Sequence, residues 1–402
     1  MLKKDNFFKN YFINLSKYNK NLKKTKKVFS SFIVDLKNNQ IPLLKSYEKN
    51  YEFDFSATTV KKFSKYRNIV VIGMGGSILG TKSIYSFLKQ RIKKEVFFFD
   101  NLDLNLSLKY KKIKNLKNSC FIIVSKSGDT LETITNLGII LSENLLKNKL
   151  IIITEITDNA LMAIANKYNA EIIEHKKFIG GRYSVLSETG MFPAALMGLN
   201  LMKFKNLKRL IKNKNFISSL IQNVASIYTL NSKKINNSVI LNYDSSLNDL
   251  GYWYQQLVAE SLGKKGKGIN PILSFGPKDH HSLLQLYLDG PKDKFFTFFN
   301  SSKRENKLKV ARGIIPNNMG FLINKNLEFI INAQCNATKN IFKLKKIPFR
   351  QITFNKKNED ELGEIFTFFV LETILLSRLM NINPFDQPAV EQVKIETKRF
   401  LR

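Results

Sequence analysis

Two segments rich in glycine and hydroxyl side chains have the composition of a phosphate-binding loop. Residues 73–77 read Gly-Met-Gly-Gly-Ser, and residues 125–130 read Ser-Lys-Ser-Gly-Asp-Thr. Glycine lets the backbone approach an anion closely, and a helix that begins after the loop adds free N–H groups and a positive dipole end. Either segment alone could be an ordinary strand-to-helix turn with a hydroxyl cap. Because both follow short apolar runs of one predicted parallel sheet, together they favour a single phosphate site.

The kind of phosphate compound is narrowed by what the two loops lack. Neither loop contains the Walker sequence of nucleotide-binding proteins, and residues 73–80 lack the glycine spacing of a dinucleotide fingerprint. The loops therefore favour a sugar phosphate over a nucleotide.

Other segments hold the residue types of acid–base catalysis. Arg182 follows two glycines and could stabilise negative charge on a substrate oxygen, although a lone arginine is more often a surface ion-pairing group. Gln256 and Glu260 lie four residues apart and so share one face of a predicted helix. His281 could act as a single acid or base. It stands beside His280, and two adjacent histidines cannot both face one metal on a helix and have no carboxylate or cysteine at a metal-type spacing, so a zinc site does not fit.

A last candidate segment lies near the end of the chain. Residues 383–391 read Asn-Pro-Phe-Asp-Gln-Pro-Ala-Val-Glu, and Lys394 follows. Gln387 and Lys394 are seven residues apart, which is two turns of a helix, so their side chains could point the same way. Taken alone, the segment is more typical of the polar face of a terminal helix.

Short apolar runs alternate with longer helical stretches and predict the elements that position these residues. Each run has about four β-branched or aromatic residues, as buried parallel strands require. The predicted strands are 69–72, 96–99, 121–124, 150–153, 238–242, 294–299 and 351–354. The predicted helices include 79–89, 131–146, 247–262 and 359–379. This alternation indicates βαβ units, and hence an α/β fold of two αβα sandwiches with mainly parallel sheets.

The same patterns divide the chain into four parts. We predict an N-terminal helical segment 1–55, a first, phosphate-binding unit 56–200, a second unit 201–380 and a C-terminal segment 381–402. The two units resemble each other in architecture but not in sequence.

The charge of the chain is unusual. Lysine and arginine number 65 against 32 acidic residues, which gives a formal net charge of +33. Such an excess suggests nucleic acid or an anionic membrane as a partner. Lysine greatly outnumbers arginine, however, and the lysines are spread along the chain. This pattern favours a general compositional bias as the origin of the charge, because proteins that read a DNA groove rely on arginine. We therefore expect no specific nucleic-acid partner and no membrane partner, whereas small anionic molecules remain candidate substrates.

Cysteine content and apolar runs bear on the compartment. The two cysteines, Cys120 and Cys335, cannot form a framework of several disulfides and have no metal-type spacing. No uncharged apolar run approaches the ~18 residues of a membrane helix. The N-terminus lacks the continuous apolar region and cleavage site of a secretory signal. We expect a cytoplasmic protein.

In their order along the chain, the six segments resemble the marks of the phosphoglucose isomerase family. These marks are a GIGGS loop, an SKTFTT- or SKSGTT-like loop followed by ET, a GGRYS block, an ES-x-GK helix, an HS segment and a terminal FDQ-x-GVE-x-x-K. The resemblance runs from Gly73 to Lys394 and covers most of the chain. It implies two sugar-isomerase-type αβα domains and a homodimer. It also implies interconversion of glucose 6-phosphate and fructose 6-phosphate through an enediol, with no metal or other cofactor.

The resemblance also implies a role for each matching residue. Glu260 matches the base that moves a proton between carbons 2 and 1, and Arg182 matches the group that stabilises the enediolate. His281 matches the ring-opening histidine, which in the family comes from the partner subunit, and Lys394 matches a residue that assists at the ring oxygen. The residues that would bind the phosphate and sugar are Gly76, Ser77, Ser125, Lys126, Ser127, Thr130, Gln256 and Gln387.

One departure from the family pattern falls in the second loop. Asp129 stands where the family usually has a hydroxyl residue, and a carboxylate that faced a phosphate would repel it. We expect Asp129 to point outward or to cap the helix that starts at Leu131.

Two other hypotheses belong to different functional classes. A non-catalytic sugar-phosphate sensor would keep the two loops but could dispense with Glu260, Arg182 and Lys394, and the joint presence of these three residues argues against it. A nucleic-acid-binding protein rests on charge alone.

Overall fold

Two parallel β-sheets form the framework of the computed structural model, which describes residues 14–111, 113, 116–140, 149–302 and 308–402. The strands of the first sheet are β1 (Asn68–Gly73), β2 (Glu95–Phe99), β3 (Ser119–Val124), β4 (Leu150–Thr154) and β5 (Glu171–Glu174). They are all parallel, in the order β2-β1-β3-β4-β5. All residues of β1 and β3 are buried, as their continuous apolar sequences predict.

The second sheet is smaller but has the same central arrangement. Its strands are β6 (Asn237–Asn242), β7 (Asn270–Phe275), β8 (Lys294–Ser301) and β9 (Phe349–Phe354). They are parallel in the order β7-β6-β8-β9. The predicted α/β fold with two parallel sheets is therefore confirmed.

Helices lie between and around the strands. The α-helices of the described residues are α1 (Leu15–Lys37), α2 (Ala57–Ser64), α3 (Leu79–Leu88), α4 (Leu106–Lys111), α5 (Leu131–Ile140), α6 (Ala160–Tyr168), α7 (Glu188–Leu196), α8 (Leu201–Phe204), α9 (Leu207–Leu210), α10 (Lys214–Asn231), α11 (Asn248–Leu262), α12 (Leu284–Asp289), α13 (Leu327–Leu344), α14 (Glu359–Met380) and α15 (Glu391–Phe400). Residues 141–146 of the predicted helix 131–146 lie outside the described residues. Among the described helices we find none with the length and apolar character of a membrane-spanning segment.

Both faces of the first sheet pack against apolar side chains. Ile69 and Val71 of β1 belong to one hydrophobic cluster, whereas Val70 and Ile72 belong to another. Because successive side chains of a strand point to opposite faces, this division is that of a sheet covered on both sides. The first of these clusters also includes Ile240 of β6, so one core is shared by the two sheets.

Two helix contacts hold the units together. Helix α3 follows β1, helix α11 follows β6, and the two pack against each other. The N-terminal helix α1 packs on α10 and α14 of the second unit, with Phe29 and Phe32 on its buried face. As a consequence, the last turn of α11 lies beside the loop that follows β1.

The sequence patterns missed strands β5 and β7 and helix α13. Both strands are at sheet edges and lack the apolar run that served as the signal: β5 has glutamate at each end, and β7 contains Pro271. Proline is tolerated on an edge strand because one side of the ladder has no partner there. Helix α13 buries Cys335, Thr338 and Phe342. Because this buried face is partly polar, the helical spacing of apolar residues was not evident in the sequence.

A buried lysine lies behind the first sheet. Lys205 is fully buried, donates a hydrogen bond to the carbonyl of Ser46 at 2.8 Å, and has its ammonium 4.0 Å from the ring centroid of Phe53 and 4.3 Å from that of Tyr51. Tyr51 in turn donates to the carboxylate of Glu188 at 2.9 Å. Burial lowers the pKa of Lys205 from 10.5 to about 7, and the nearby Glu188 carboxylate opposes that shift.

We expect Lys205 to make folding stability depend on pH. Between about pH 7 and 10.5 the unfolded chain binds this proton and the folded chain does not. The free energy of unfolding should therefore rise with pH across that window relative to Lys205→Met, by at most about 1.4 kcal/mol per pH unit. Below pH 7 the difference should be constant. Urea unfolding at several pH values measures it, with the exposed Lys203→Met as control. Parallel curves for Lys205→Met and wild type would contradict this assignment.

Candidate active site

The two glycine- and hydroxyl-rich loops lie side by side at the carboxyl edge of the first sheet. Gly73 at the end of β1 is in register with Val124 at the end of β3, so the segments that follow these strands begin at the same level. The first segment forms a 3-10 turn, Gly75–Ser77, and leads into α3. In the second segment the Ser125 and Thr130 hydroxyls lie 2.7 Å apart. The hydroxyl groups predicted to share one phosphate site are thus on neighbouring loops.

Close backbone approach explains the glycines of the first loop. A Cβ added to Gly76 would lie 2.2 Å from the carbonyl carbon of Gly181, and Gly75 has a φ of +51°. A Cβ at Gly75 would lie 2.6 Å from Nε2 of Gln256. At Gly76 the obstacle is backbone, so only glycine fits there, whereas at Gly75 the positive φ favours glycine and a side chain would have to displace the end of Gln256. The first loop, the segment 180–184 and helix α11 therefore meet at one place.

Arg182 lies at this meeting point and is 2% exposed. Its Nε donates to the Ser261 hydroxyl at 2.9 Å, and Nη1 donates to Glu260 Oε2 at 3.1 Å and to Gln387 Oε1 at 2.8 Å. Its Nη2 donates to the backbone carbonyls of Pro384 and Asp386. A guanidinium has five N–H groups, and all five bond protein acceptors here. A substrate oxygen can therefore bond Arg182 only by displacing one of these acceptors.

Glu260 is placed for proton transfer. It lies in the last turn of α11, is 34% exposed, and accepts a hydrogen bond from Gln256 Nε2 at 2.8 Å through Oε1. Its other oxygen faces Arg182. The remaining polar atom of Gln256, Oε1, is buried and bonds no atom of the described residues. A carboxylate fixed between an amide and a guanidinium, yet open to solvent, has the arrangement of a general base beside a charge-stabilising group.

Several residues that position Arg182 were not singled out from the sequence. Ser261 bonds both Arg182 and the hydroxyl of Tyr183, at 2.8 Å for the tyrosine, and Tyr183 donates to the carbonyl of Pro384 at 3.0 Å. Burial raises the pKa of Tyr183, which keeps its hydroxyl protonated as a donor. Lys264 pairs with Asp386 at 2.8 Å. The only sequence signal was that these residues fall inside or beside the quoted segments.

Comparison with known proteins identifies the family of the chain. A family model described as phosphoglucose isomerase matches residues 38–278. The glucose-6-phosphate isomerase of Methanocaldococcus jannaschii is 35% identical over 353 residues, which cover 85% of this chain and 86% of that protein. The chain belongs to the phosphoglucose isomerase family. A second member, the glucose-6-phosphate isomerase of Campylobacter jejuni, is 30% identical and covers 83% of this chain and 85% of its own length.

Solved structures support the fold of a phosphoglucose isomerase. A Thermus thermophilus protein described as hypothetical has a TM-score of 0.81 at 22% identity, and the match covers all of both chains. The glucose-6-phosphate isomerase of Chlamydia trachomatis has a TM-score of 0.69 at 19% identity, with 86% of this chain and 72% of that chain covered.

The remaining residues of the second loop point away from the first loop or into solvent. The Lys126 ammonium bonds the carbonyl of Lys177 at 2.8 Å and lies 3.5 Å from Glu155. Ser127 is exposed. The Asp129 carboxylate accepts a hydrogen bond from the backbone N–H of Ala160 at 2.9 Å, at the first residue of α6. Asp129 is exposed, in line with the first of the two alternatives, and it bonds the start of α6 rather than capping the helix that starts at Leu131.

Two residues to which the family pattern gives catalytic roles stand apart from this cluster. Lys394 is 63% exposed and pairs with Glu391 at 3.0 Å, on a helix without buried residues. His281 is exposed and follows β7, whereas its neighbour His280 shares a 2.6 Å hydrogen bond with Tyr243. Burial lowers the pKa of His280, so that imidazole is neutral at neutral pH. In the described part of the chain, no hydrogen bond joins His281 or Lys394 to Arg182 or Glu260.

Proposed function

We propose that the chain catalyses the reversible interconversion of glucose 6-phosphate and fructose 6-phosphate. The observation that carries this proposal is the 3.1 Å contact between Arg182 and Glu260 beside the Gly75–Ser77 turn. It brings a base and a cation next to an anion-binding loop, which is what aldose–ketose isomerisation through an enediolate needs. Its relatives named glucose-6-phosphate isomerase support the same substrate pair.

In the proposed reaction the phosphate binds at the edge of the first sheet. Backbone N–H groups of the first loop and the hydroxyls of Ser77, Ser125 and Thr130 would donate to it. The buried Oε1 of Gln256 has no partner among the described residues and would accept from a sugar hydroxyl. Binding of the phosphate, remote from the reacting carbons, would orient carbons 1 and 2 against Glu260.

Glu260 would remove the proton from carbon 2 of the open-chain aldose and return it to carbon 1. Charge that develops on the enediolate oxygens would be met by Arg182 Nη1, after the substrate displaces Gln387 or Glu260 from that nitrogen. The carbonyls of Pro384 and Asp386 would hold the guanidinium through its Nη2 while Nη1 exchanges partners. Because a guanidinium meets the negative charge, we propose that the reaction proceeds without a metal.

Ring opening requires a second acid–base group, and we propose that His281 supplies it from the partner subunit of a homodimer. The exposure of His281 and of helix α15 supports this arrangement. Val390, Val393, Phe400 and Leu401 form an exposed apolar stripe along α15, and Lys394 borders it. If a dimer buries this stripe, Lys394 moves to the edge of a covered surface, from which it could reach a ring oxygen.

Mixing two inactive variants tests the shared site. When equal amounts of Glu260→Gln and His281→Ala chains are refolded together, each mixed dimer should contain one intact site. Because about half of the dimers are mixed, the whole preparation should recover about a quarter of wild-type activity. No recovery, with dimers present by light scattering, would contradict a histidine supplied across the interface.

Cys120 and Cys335 are both buried thiols. Thiols of this kind agree with a reducing compartment, so we propose a cytoplasmic location. The deciding experiment for the function is an assay of the full-length protein with fructose 6-phosphate, coupled through glucose-6-phosphate dehydrogenase. We expect turnover that persists in excess EDTA. Binding of fructose 6-phosphate without turnover would instead indicate a sugar-phosphate sensor, for which no observation on this structure speaks.

A further inference from the structure

The second sheet repeats the local arrangement that forms the phosphate loops of the first. Strand β1 is followed by the 3-10 turn Gly75–Ser77 and by α3, and β6 is followed by the 3-10 turn Ser245–Leu247 and by α11. In both sheets the strand beside this first one, β3 or β8, contributes the neighbouring loop at the same carboxyl edge. An anion site in the second unit would therefore lie between the ends of β6 and β8.

That place is occupied by a carboxylate of the chain itself. Asp244 is 7% exposed, and its Oδ1 accepts from the backbone N–H of Ser246 at 3.0 Å and from the Ser246 hydroxyl at 2.8 Å. Its Oδ2 accepts from the hydroxyl of Ser301, the last residue of β8, and lies 2.8 Å from the ammonium of Lys357. The donors are a turn N–H, two hydroxyls and a cation, the same set that binds a phosphate group.

The contrast with the first unit supports this comparison. There the loop carboxylate, Asp129, accepts from the N–H of Ala160, while the Ser125 and Thr130 hydroxyls of the same loop lie 2.7 Å from each other. In the second unit the donors come from three separate elements, namely the turn after β6, the end of β8 and the loop after β9. A simple helix cap would need only the Ser246 N–H, and would not require Ser301 and Lys357 to converge on the same carboxylate.

We propose that the second unit holds an anion site filled by Asp244, so that removing this carboxylate creates a second binding site for a phosphate-sized anion. The proposal explains why an anionic ligand would bind at the edge of the first sheet but not at the edge of the second, where a side chain takes its place. The central strands of the two sheets are arranged in the same way. It concerns the second unit only, and it stands whether or not the first unit binds glucose 6-phosphate.

Counting bound phosphate tests the proposal. Equilibrium dialysis of the full chain against radiolabelled inorganic phosphate should give one more ion per chain for Asp244→Ala than for wild type. Asp244→Asn is the matched control, since its amide fills the same space and should gain no ion. In the double variant Asp244→Ala/Lys357→Ala the extra ion should be lost, because the cation that holds it is gone.

A stability measurement covers the case in which Asp244→Ala folds poorly. Phosphate should raise the Tm of this variant more than that of wild type, because it restores the negative charge that was lost with Asp244. A folded Asp244→Ala chain that binds no more phosphate than wild type overturns the proposal. So does a variant that stays unfolded in saturating phosphate.

Discussion

Glu260→Gln is expected to lower kcat for fructose 6-phosphate by roughly 10³-fold while KM changes little. The amide keeps the size of the carboxylate and retains an oxygen acceptor, but it cannot take up a proton from carbon 2. The loops proposed to bind the phosphate lie on the first sheet, and the substitution leaves their hydroxyls in place. Binding should therefore survive the loss of turnover.

Two measurements separate chemistry from binding in this variant. The coupled assay gives kcat, and calorimetric titration with a non-isomerised sugar phosphate such as 6-phosphogluconate gives affinity. Glu95→Gln serves as the matched control, because Glu95 is half exposed at the start of edge strand β2. Wild-type kcat in Glu260→Gln would remove this residue from the mechanism. Loss of affinity equal to the loss of kcat would make its role structural.

Arg182→Lys is the second substitution with a large expected effect. Lysine keeps the positive charge but offers three donors on one nitrogen in place of five donors on three. It cannot bond Ser261, Glu260 and the carbonyl of Pro384 in the same geometry. We expect kcat to fall by about 10²-fold or more, since the charge on the enediolate would no longer meet a fixed donor.

The same substitution should release the C-terminal segment. Arg182 bonds Gln387 and the carbonyls of Pro384 and Asp386, so residues 383–387 should show faster amide hydrogen exchange in Arg182→Lys than in wild type. Exposed Arg67→Lys is the control. Unchanged exchange in this segment, together with a loss of kcat, would show that Arg182 acts on the substrate but does not anchor the chain end.

Some parts of this site could be predicted from the sequence because they depend on local patterns. Strands β1 and β3 are continuous apolar runs followed by glycine and hydroxyl residues, so the position of both loops at one edge of the sheet followed from parallel pairing. That β1 and β3 are direct neighbours was not predicted. The spacing of Gln256 and Glu260 likewise placed both on one face of a helix, and their 2.8 Å contact confirms that prediction. The catalytic and binding roles assigned to individual residues stay predictions.

Other parts depend on contacts that leave no trace in residue type. Arg182 is held by backbone carbonyls some 200 positions away, and every residue has a carbonyl, so Pro384 and Asp386 gave no signal as its partners. The direction of the Asp129 carboxylate depended on the position of α6, which is set by tertiary packing. Lys126 illustrates the same limit: its sequence position beside two hydroxyls suggests a phosphate ligand, but its ammonium lies against Glu155.

The packing of α3 against α11 determines what a loss of activity in denaturant means. Glu260 is on the helix that follows β6, and the loops proposed to bind phosphate follow strands of the first sheet, so the proposed active site exists only while α3 and α11 stay packed. Enzymatic activity then reports whether α3 and α11 are still packed against each other. In a denaturant titration, activity should be lost when α3 and α11 separate. This loss should occur at or before the denaturant concentration at which circular dichroism reports the loss of secondary structure.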